Sequence, residues 1–120
     1  MKYMLLIHNN PEALDALPAD ETQAIYARVD AVLGELSAAG ELVGGEGLAA
    51  PSTARIVRVR DGVVATSDGP FAEAKEQFAG YVTVDVDSEE RAVEIAASWP
   101  GVERSTIEVR AVVGSADDGR

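Results

Sequence analysis

The only histidine of the chain, His8, is the side chain best suited to moving a proton. Imidazole has an ordinary pKa near neutrality, which lets it act as a general acid or base. His8 ends an apolar run over residues 2–8 that has the pattern of a buried strand. We interpret it as a catalytic candidate held on a rigid element. The alternative is a half-exposed histidine that hydrogen-bonds to a loop.

A turn-forming motif, Asp-Gly-Pro-Phe at residues 68–71, is the second candidate. Aspartate favours turns, glycine tolerates positive φ, and proline fits the first position of a helix. As a structural device the motif turns the chain sharply, with Phe71 and Phe78 packing under the following segment. As a site, backbone N–H groups of a short helix starting at Pro70 face an anionic ligand, with Asp68 as a nearby base. The site candidates in this motif are Asp68, Gly69, Pro70 and Phe71.

Further polar residues are candidates for binding a ligand. The Gly-rich stretch 44–47 lacks the following helix and the Lys-Ser/Thr pair of a phosphate loop, so nucleotide binding is not predicted. Its glycines allow a bend, and we expect Glu46 to line a cleft. Arg55 or Arg110 is the candidate for binding a negative charge on a substrate. Tyr81 is a further candidate for substrate binding.

Two groups of charges have a plainer interpretation. Arg58 and Arg60 share one face of a predicted strand, while Arg55 points to the other. These arginines either hold a carboxylate or pair with acidic residues of a partner subunit. Lys75 and Glu76 are interpreted as a solvated face.

Composition excludes several classes of function. The chain has 120 residues, 10 Lys plus Arg and 21 Asp plus Glu, for a net charge of −11. An acidic surface is a poor partner for nucleic-acid phosphates. With no cysteine and one histidine, the sequence predicts neither a disulfide nor a metal site, and no cofactor is expected. The short apolar run at the start predicts no membrane span, so we expect a cytoplasmic protein.

The elements that must position these residues follow from periodicity and turn signals. They are strands at 2–8, 41–43, 54–60, 63–67, 80–86 and 105–113, with helices over 20–39 and after Asp87-Ser88. Two strand–helix–strand halves predict a ferredoxin-like α+β fold, a mostly antiparallel sheet with both helices on one face. Residues 1–113 form the predicted domain, and residues 114–120 a disordered tail.

Local signals set the ends and faces of these elements. We expect Asp20 to cap the first helix and Gly40 to end it in a left-handed conformation. The Asp61-Gly62 pair predicts a hairpin turn. The buried stripe of the second helix is predicted to be Ala92, Val93, Ala96 and Trp99.

The first strand predicts a second subunit. Tyr3, Leu5 and Ile7 alternate with Met4, Leu6 and His8, so both faces are apolar, yet two helices cover only one. Leaving Met4 and Leu6 in water forgoes about 1.5–3 kcal/mol each. We therefore expect a homodimer with its sheets face to face. The polar residues expected on that face are Tyr81, Thr83, Glu108 and Arg110.

Four stretches together resemble the YCII-related family, in the branch named for its Asp-Gly-Pro-Phe motif. They are Met1–Ile7, Gly40–Leu48, Asp68–Gln77 and Ile107–Arg110, and the resemblance runs over about residues 1–113. It implies a dimeric ferredoxin-like fold in a bacterial cytosolic protein, often encoded beside sigma factors. It also implies that a few relatives act as cofactor-free lyases or dehydrochlorinases on small ring compounds, through a His and an Asp.

The family pattern is not complete in this chain. The resemblance places the relatives' histidine on the first helix, where this sequence has Val29 or Asp30. Two hypotheses follow. One is a cofactor-independent elimination or isomerisation enzyme for a small anionic cyclic metabolite, with His8 moving the proton and Asp68 assisting. The other is a non-catalytic dimer that binds a small ligand or contacts the basic surface of a sigma factor.

Overall fold

The computed structural model describes residues 1–116, and residues 117–120 lie outside the described part. The predicted tail over 114–120 falls largely on those residues and stays a prediction. The strands are β1 Lys2–Asn9, β2 Leu42–Gly47, β3 Arg55–Arg60, β4 Val63–Asp68, β5 Gln77–Asp85 and β6 Ser105–Ala111. The α-helices are α1 Pro11–Asp15, α2 Ala19–Ala38 and α3 Glu89–Ala97, with short 3₁₀ helices at Pro51–Thr53 and Val102–Arg104.

Four strands form one antiparallel sheet in the order β2-β5-β1-β6. β1 pairs with both β5 and β6, so the first strand of the chain lies inside the sheet. The chain crosses from β1 to β2 through α2 and from β5 to β6 through α3. This strand order is that of a ferredoxin-like fold, and the predicted α+β class is confirmed. Within residues 1–116, no helix is long and apolar enough to cross a membrane.

The core lies between α2, α3 and one face of this sheet, which we call the inner face. Its buried side chains are Tyr3, Leu5, Leu36, Val82, Val84, Val86, Ala92, Ile95, Ala96 and Trp99. The predicted stripe of α3 was wrong at one position. Val93 is 49% exposed, and Ile95 packs inward instead, because it lies three residues after Ala92 on the same helix face.

α1 was not predicted, and the start of α2 differs from prediction. β1 ends within the sequence Asn9-Asn10-Pro11, and α1 begins there. The Asn10 side chain caps α1 by accepting hydrogen bonds from the N–H groups of Glu12 and Ala13, at 3.0 and 3.3 Å. The predicted Asp20 cap is wrong, since Pro18 occupies the cap position of α2. Pro18 has φ of −58° and ψ of 147°, an extended conformation directly before the helix, and it offers no side-chain hydrogen bond to the helix N–H groups. The left-handed Gly40, with φ of +74°, is confirmed.

β2 is longer than predicted, and the Gly-rich stretch is part of it rather than a loose bend. Gly45 and Gly80 allow β2 and β5 to approach closely. A Cβ at Gly45 would lie 2.6 Å from the Tyr81 carbonyl oxygen, and one at Gly80 would lie 2.7 Å from the Glu46 carbonyl oxygen. The glycines therefore permit pairing at the sheet edge. β5 begins at Gln77 rather than Gly80, and β6 ends at Ala111 rather than Val113.

β3 and β4 form a separate two-stranded sheet, which we call the arm (residues 55–68). Asp61 and Gly62 connect them with φ of +52° and +77°. Positive φ at both central residues is the geometry of the type I′ turn that Asp-Gly favours in hairpins. The predicted hairpin is confirmed.

An ion pair ties α3 to the segment before β2. The Arg91 Nε and Nη2 atoms donate to the two carboxylate oxygens of Glu41, both at 2.9 Å. These hydrogen bonds hold the pKa of Glu41 below its ordinary value of 4.5. A lowered pKa means that the folded protein binds this proton less readily than the unfolded chain does. The ion pair therefore stabilises the fold at pH values above the ordinary pKa of 4.5. The contribution is lost as the pH falls through the lowered pKa.

We therefore expect Glu41→Gln to flatten the dependence of unfolding free energy on pH between about pH 5 and pH 3. Urea titrations at a series of pH values, followed by fluorescence of the single tryptophan, Trp99, measure this slope. Glu90→Gln, an exposed position in the first turn of the same helix, is the matched control and keeps the parent slope. Identical slopes for the parent and Glu41→Gln would contradict the assignment.

Candidate functional site

The face of the four-stranded sheet opposite the helices, the outer face, carries the polar site candidates. Met4, Leu6 and His8 of β1 lie there, because they alternate with the buried Tyr3 and Leu5. Strand pairing adds Thr83 and Arg110 beside Met4, and Tyr81 and Glu108 beside Leu6. The predicted set of outer-face residues is confirmed.

His8 occupies a distinct environment at the end of β1. Its side chain is 30% exposed, and its Nε2 lies 3.7 Å from Glu108 Oε1. Its ring centroid lies 5.6 Å from that of Phe78, with the two planes tilted by 51°. A β-bulge after Ile7 shifts the register, so that His8 pairs with Phe78. The imidazole thus has an aromatic ring on one side and a carboxylate within charge-pairing distance.

A second carboxylate approaches His8 through Thr106, its cross-strand neighbour on β6. The Thr106 Oγ1 donates to the carboxylate of Glu76, whose oxygens lie at 2.9 and 3.1 Å. Glu76 is exposed, in agreement with its interpretation as part of a solvated face, and it accepts this hydrogen bond in addition. The contact arises because the segment after residue 71 folds back to β6, which no local signal in the sequence indicates.

His8 and the Asp-Gly-Pro-Phe motif meet in one cavity, which we call the hairpin-side cleft. It has a volume of about 570 Å³, and His8, Pro70, Phe71, Glu76 and Phe78 line it, together with Ile56 of the arm. Two of the four predicted motif residues therefore share a cavity with the predicted base. The sequence did not identify Glu76 and Phe78 as lining residues.

The motif itself differs from prediction. Gly69 has φ of +97°, as expected for a turn, and its N–H donates to the Ala54 carbonyl at 3.0 Å. No helix starts at Pro70, because residues 69–76 form bends. The backbone N–H groups that were predicted to face an anion at the start of a short helix are therefore not arranged in that way. Phe71 does not pack under the following segment either. It is 77% exposed and lies 5.8 Å from the Arg58 guanidinium.

Asp68 and Arg55 are paired with each other rather than with His8. They are cross-strand neighbours in the arm, and Arg55 Nε lies 3.0 Å from Asp68 Oδ1. Both side chains are largely exposed. Neither residue lines the hairpin-side cleft. A part for Asp68 in proton transfer, or for Arg55 in binding, stays a prediction.

Tyr81 and Arg110 lie on the outer face, and Tyr81 and Glu46 are also among the residues that line the larger of two cavities, so Glu46 lines a cleft as predicted. The Tyr81 hydroxyl donates to Glu46 Oε1 at 3.3 Å, and the nearby Glu46 charge raises the pKa of Tyr81. Arg110 Nε lies 3.8 Å from Glu108 Oε2, so Glu108 stands between Arg110 and His8. Alternation along β6 indicated the face of Glu108 but not its distance from His8. Among residues 1–116, no three His, Cys, Asp or Glu side chains are grouped as a metal site.

A second cavity, the helix-side cleft, lies between α2 and the inner face. It has a volume of about 750 Å³. Its apolar lining includes Ile7, Ile25, Val29, Leu33, Leu42 and Trp99. Leu36 is the single buried residue that α2 contributes, so the first half of this helix leaves space above the sheet. Val29, one of two positions where the resemblance puts the relatives' histidine, gives this cleft an apolar wall instead.

The sequence profile of the YCII-related domain matches residues 1–115. The chain belongs to the YCII-related family. An uncharacterized protein of Rhizobium meliloti (strain 1021) is 29% identical over 106 residues, which cover 88% of this chain and 86% of that protein. The assignment to the branch named for the Asp-Gly-Pro-Phe motif stays a prediction.

A solved structure shares the fold of this YCII-related chain. It is 5-chloro-2-hydroxyhydroquinone dehydrochlorinase from Burkholderia phenoliruptrix AC1100, in complex with 2,5-dihydroxybenzoquinone. The TM-score is 0.59 with 12% identity, and the match covers 98% of each chain. At this identity the likeness concerns the fold.

Proposed function

We propose that this YCII-related protein is a cofactor-independent enzyme that moves a proton on a small ring compound, with His8 as the base. The observation that carries the proposal is the position of His8. It lies half-buried in the wall of the hairpin-side cleft, 3.7 Å from the Glu108 carboxylate. A candidate base needs access to substrate and a partner that stabilises its protonated form, and His8 has both.

The chemistry follows from this pairing. The His8 imidazole takes a proton from a ring carbon, and the negative Glu108 stabilises the imidazolium that results. In an isomerisation the imidazolium returns the proton to another carbon of the ring. In an elimination the leaving group departs with its electron pair, and His8 later gives the proton to water. Both reactions balance without an oxidant or a metal.

The walls of the cleft suit a flat ring. Phe78 presents aromatic surface beside His8, and Phe71 lines the same cleft. Arg110 lies on the outer face, four residues along β6 from Thr106, the cross-strand neighbour of His8. We propose that Arg110 binds the negative charge of the substrate. The structural neighbour named above acts on a chlorinated hydroxyquinol and binds a quinone, which supports a hydroxylated ring as the substrate class.

The experiment uses 2,5-dihydroxybenzoquinone as the probe. Exchange of its ring hydrogens in D₂O, followed by proton NMR, reports C–H proton transfer directly. We expect the protein to accelerate exchange over buffer at the same pH. Binding of the probe is expected to move the imidazole signals of His8, which are unambiguous because the chain has a single histidine. Neither acceleration nor a shift would contradict the proposal.

We also propose that the protein works as a bacterial, cytoplasmic homodimer. Leu6 and Met4 are half-buried apolar residues on the outer face, which no helix within residues 1–116 covers. A second sheet placed on this face would remove them from water and close the space around His8. Residues 1–113 are the unit proposed to dimerise.

A charged substitution on this face tests the dimer. We expect sedimentation to give the parent about twice its chain mass of 12.6 kDa. Leu6→Lys is expected to yield a folded monomer, because it places an unpaired charge in the interface. Val93→Lys, at an exposed position of α3, is the control and is expected to sediment with the same mass as the parent. A parent protein that sediments as a 12.6 kDa particle would refute the dimer.

The net charge supports one alternative, a regulatory dimer without catalysis. A chain at −11 suits a basic partner such as a sigma factor, whose DNA-binding faces are positive. This alternative replaces the enzyme proposal if the proton-exchange experiment fails and a sigma factor forms a complex that high salt dissociates.

A further inference from the structure

Glu76 precedes β5 in the chain, yet its side chain reaches β6, on the far side of β1. The order of the sheet places β1 between β5 and β6. Glu76 comes directly before Gln77, the first residue of β5, and its carboxylate accepts the hydrogen bond from Thr106 of β6. His8 pairs with Phe78 of β5 on one side and with Thr106 on the other. The contact therefore crosses β1 at the level of His8.

Hydrogen bonds fix both the main chain and the side chain at this point. The Gln77 Nε2 atom donates to two carbonyl oxygens of the preceding segment, those of Ala72 and Ala74, both at 2.9 Å. These bonds tie the segment to the start of β5. The Thr106 hydroxyl then holds the carboxylate at the end of the side chain. Glu76 is exposed, but its carboxylate has a defined position.

The two carboxylates near His8 have different surroundings. Glu108 lies within charge-pairing distance of both Arg110 and His8, and it does not line the hairpin-side cleft. Glu76 lines that cleft, and among residues 1–116 it forms no ion pair. The described lining of the cleft also contains no lysine or arginine. A ligand in the cleft therefore meets a carboxylate whose charge no described cation neutralises.

A carboxylate in this position selects the group that lies beside it. An ionised carboxylate accepts a strong hydrogen bond from a neutral hydroxyl, and it repels an oxygen that already carries a negative charge. It can also take the proton of that hydroxyl, as a general base does. The hairpin-side cleft thus presents two proton-transferring groups, Glu76 and His8, to one ligand.

We propose that Glu76 is a second catalytic residue, which exchanges a proton with a ring hydroxyl while His8 exchanges one with a ring carbon. In one direction Glu76 takes the hydroxyl proton, and the O–H electron pair forms a carbonyl group. The electron pair of the adjacent ring double bond then takes a proton from the His8 imidazolium. The reverse direction returns both protons, so this tautomerisation balances without an oxidant. The inference rests on the proposed function and narrows its substrate to a ring that carries, apart from its negative group, an un-ionised hydroxyl beside the reacting carbon.

Phloroglucinol at mildly acidic pH, a neutral ring with hydroxyl groups beside its C–H groups, is the probe. Loss of its ring proton signal in D₂O measures the reaction, because each passage through the keto form can exchange a ring hydrogen. Its trimethyl ether has no hydroxyl and is the control compound. We expect the protein to accelerate exchange of phloroglucinol over buffer, and to leave exchange of the ether unchanged.

Glu76→Gln is expected to slow phloroglucinol exchange about 100-fold, because the amide cannot take the hydroxyl proton. The dissociation constant, measured from the His8 imidazole signals, is expected to change less than about threefold, since the amide oxygen still accepts a hydrogen bond. Glu73→Gln is the matched control. Glu73 is exposed in the same segment and does not line the cleft, so this variant is expected to keep the parent rate.

Two further variants separate catalysis from support of the fold. Formate added to Glu76→Ala is expected to restore part of the rate, because it supplies a carboxylate to the vacated space. Loss of a structural residue would not be rescued in this way. Thr106 is a positioning residue: Thr106→Val is expected to slow exchange about tenfold, whereas Thr106→Ser keeps the hydroxyl and stays within about threefold of the parent. Unchanged fluorescence of the buried Trp99 verifies the fold of each variant.

The outcomes distinguish this inference from the proposed function. A parent rate in Glu76→Gln, or no rescue of Glu76→Ala by formate, would overturn the part assigned to Glu76. Equal acceleration of phloroglucinol and its ether, or acceleration of neither, would overturn the hydroxyl substrate. In all these cases, exchange of 2,5-dihydroxybenzoquinone that depends on His8 leaves the proposed function standing. A protein that accelerates exchange of no probe refutes both.

Discussion

Replacing Gly80 with alanine is expected to lower the free energy of unfolding by about 3 kcal/mol. The added Cβ would lie 2.7 Å from the Glu46 carbonyl oxygen and 3.1 Å from the Gly47 Cα, both of which are backbone atoms of β2. A side chain can rotate away from such a contact, whereas a paired strand must shift as a unit. β2 is an edge strand whose one neighbour in the sheet is β5, so its displacement also breaks its hydrogen bonds to β5. Urea unfolding followed by Trp99 fluorescence measures the loss.

Gly34→Ala is the matched control. Gly34 lies within α2 and has no atom within 4 Å of the position of a Cβ. Alanine there is expected to raise the free energy of unfolding by about 0.5–1 kcal/mol, because it reduces the conformational entropy of the unfolded chain. The two substitutions therefore have opposite signs. A higher free energy of unfolding for Gly80→Ala would show that β2 and β5 do not approach each other closely at this position.

His8→Ala is expected to reduce the rate of probe exchange by about 10²–10⁴-fold, the usual contribution of a general base. A structural role for His8 would also lower activity, so the test needs a second readout. Free imidazole added to the His8→Ala protein is expected to restore part of the rate, since it can enter the 570 Å³ cleft and supply the missing group. Loss of a structural residue would not be rescued in this way.

Asn9→Ala provides the comparison. Asn9 is the next residue of β1 and lines the helix-side cleft rather than the hairpin-side cleft. Its removal is expected to leave the rate within about threefold of the parent. If His8→Ala retains the parent rate, the base is another residue. If imidazole has no effect on a slow His8→Ala protein, His8 supports the site only structurally.

Most of the fold could be predicted because its signals are local. Alternation in the first strand identified both faces of β1, and the Asp61-Gly62 pair identified the hairpin turn. The failures were at places where tertiary contacts decide. The glycines of β2 are compatible with a bend, and only the close approach of Gly80 makes them a strand. α1 was missed because Asn10 ends one element and caps the next.

The candidate site was predictable only in outline. His8 could be chosen by residue type, and alternation placed Glu108 on the same face. Their separation of 3.7 Å depends on the β1–β6 register, which a single sequence does not fix. Asp68 was expected beside His8, but the register of the arm pairs it with Arg55. The sequence identified the types of group available, and strand register decided which of them meet.

The bulge after Ile7 has an evolutionary corollary. Because it pairs His8 with Phe78 and leaves Ala79 without a counterpart on β1, one extra residue in β5 determines which side chain lies beside the imidazole. Loss of the Ala79 codon would remove the bulge and leave Phe78 opposite His8, whereas loss of the Phe78 codon would place a different side chain beside the imidazole. Among relatives, gaps aligned to residue 78 rather than to residue 79 are therefore expected to mark altered substrate preference.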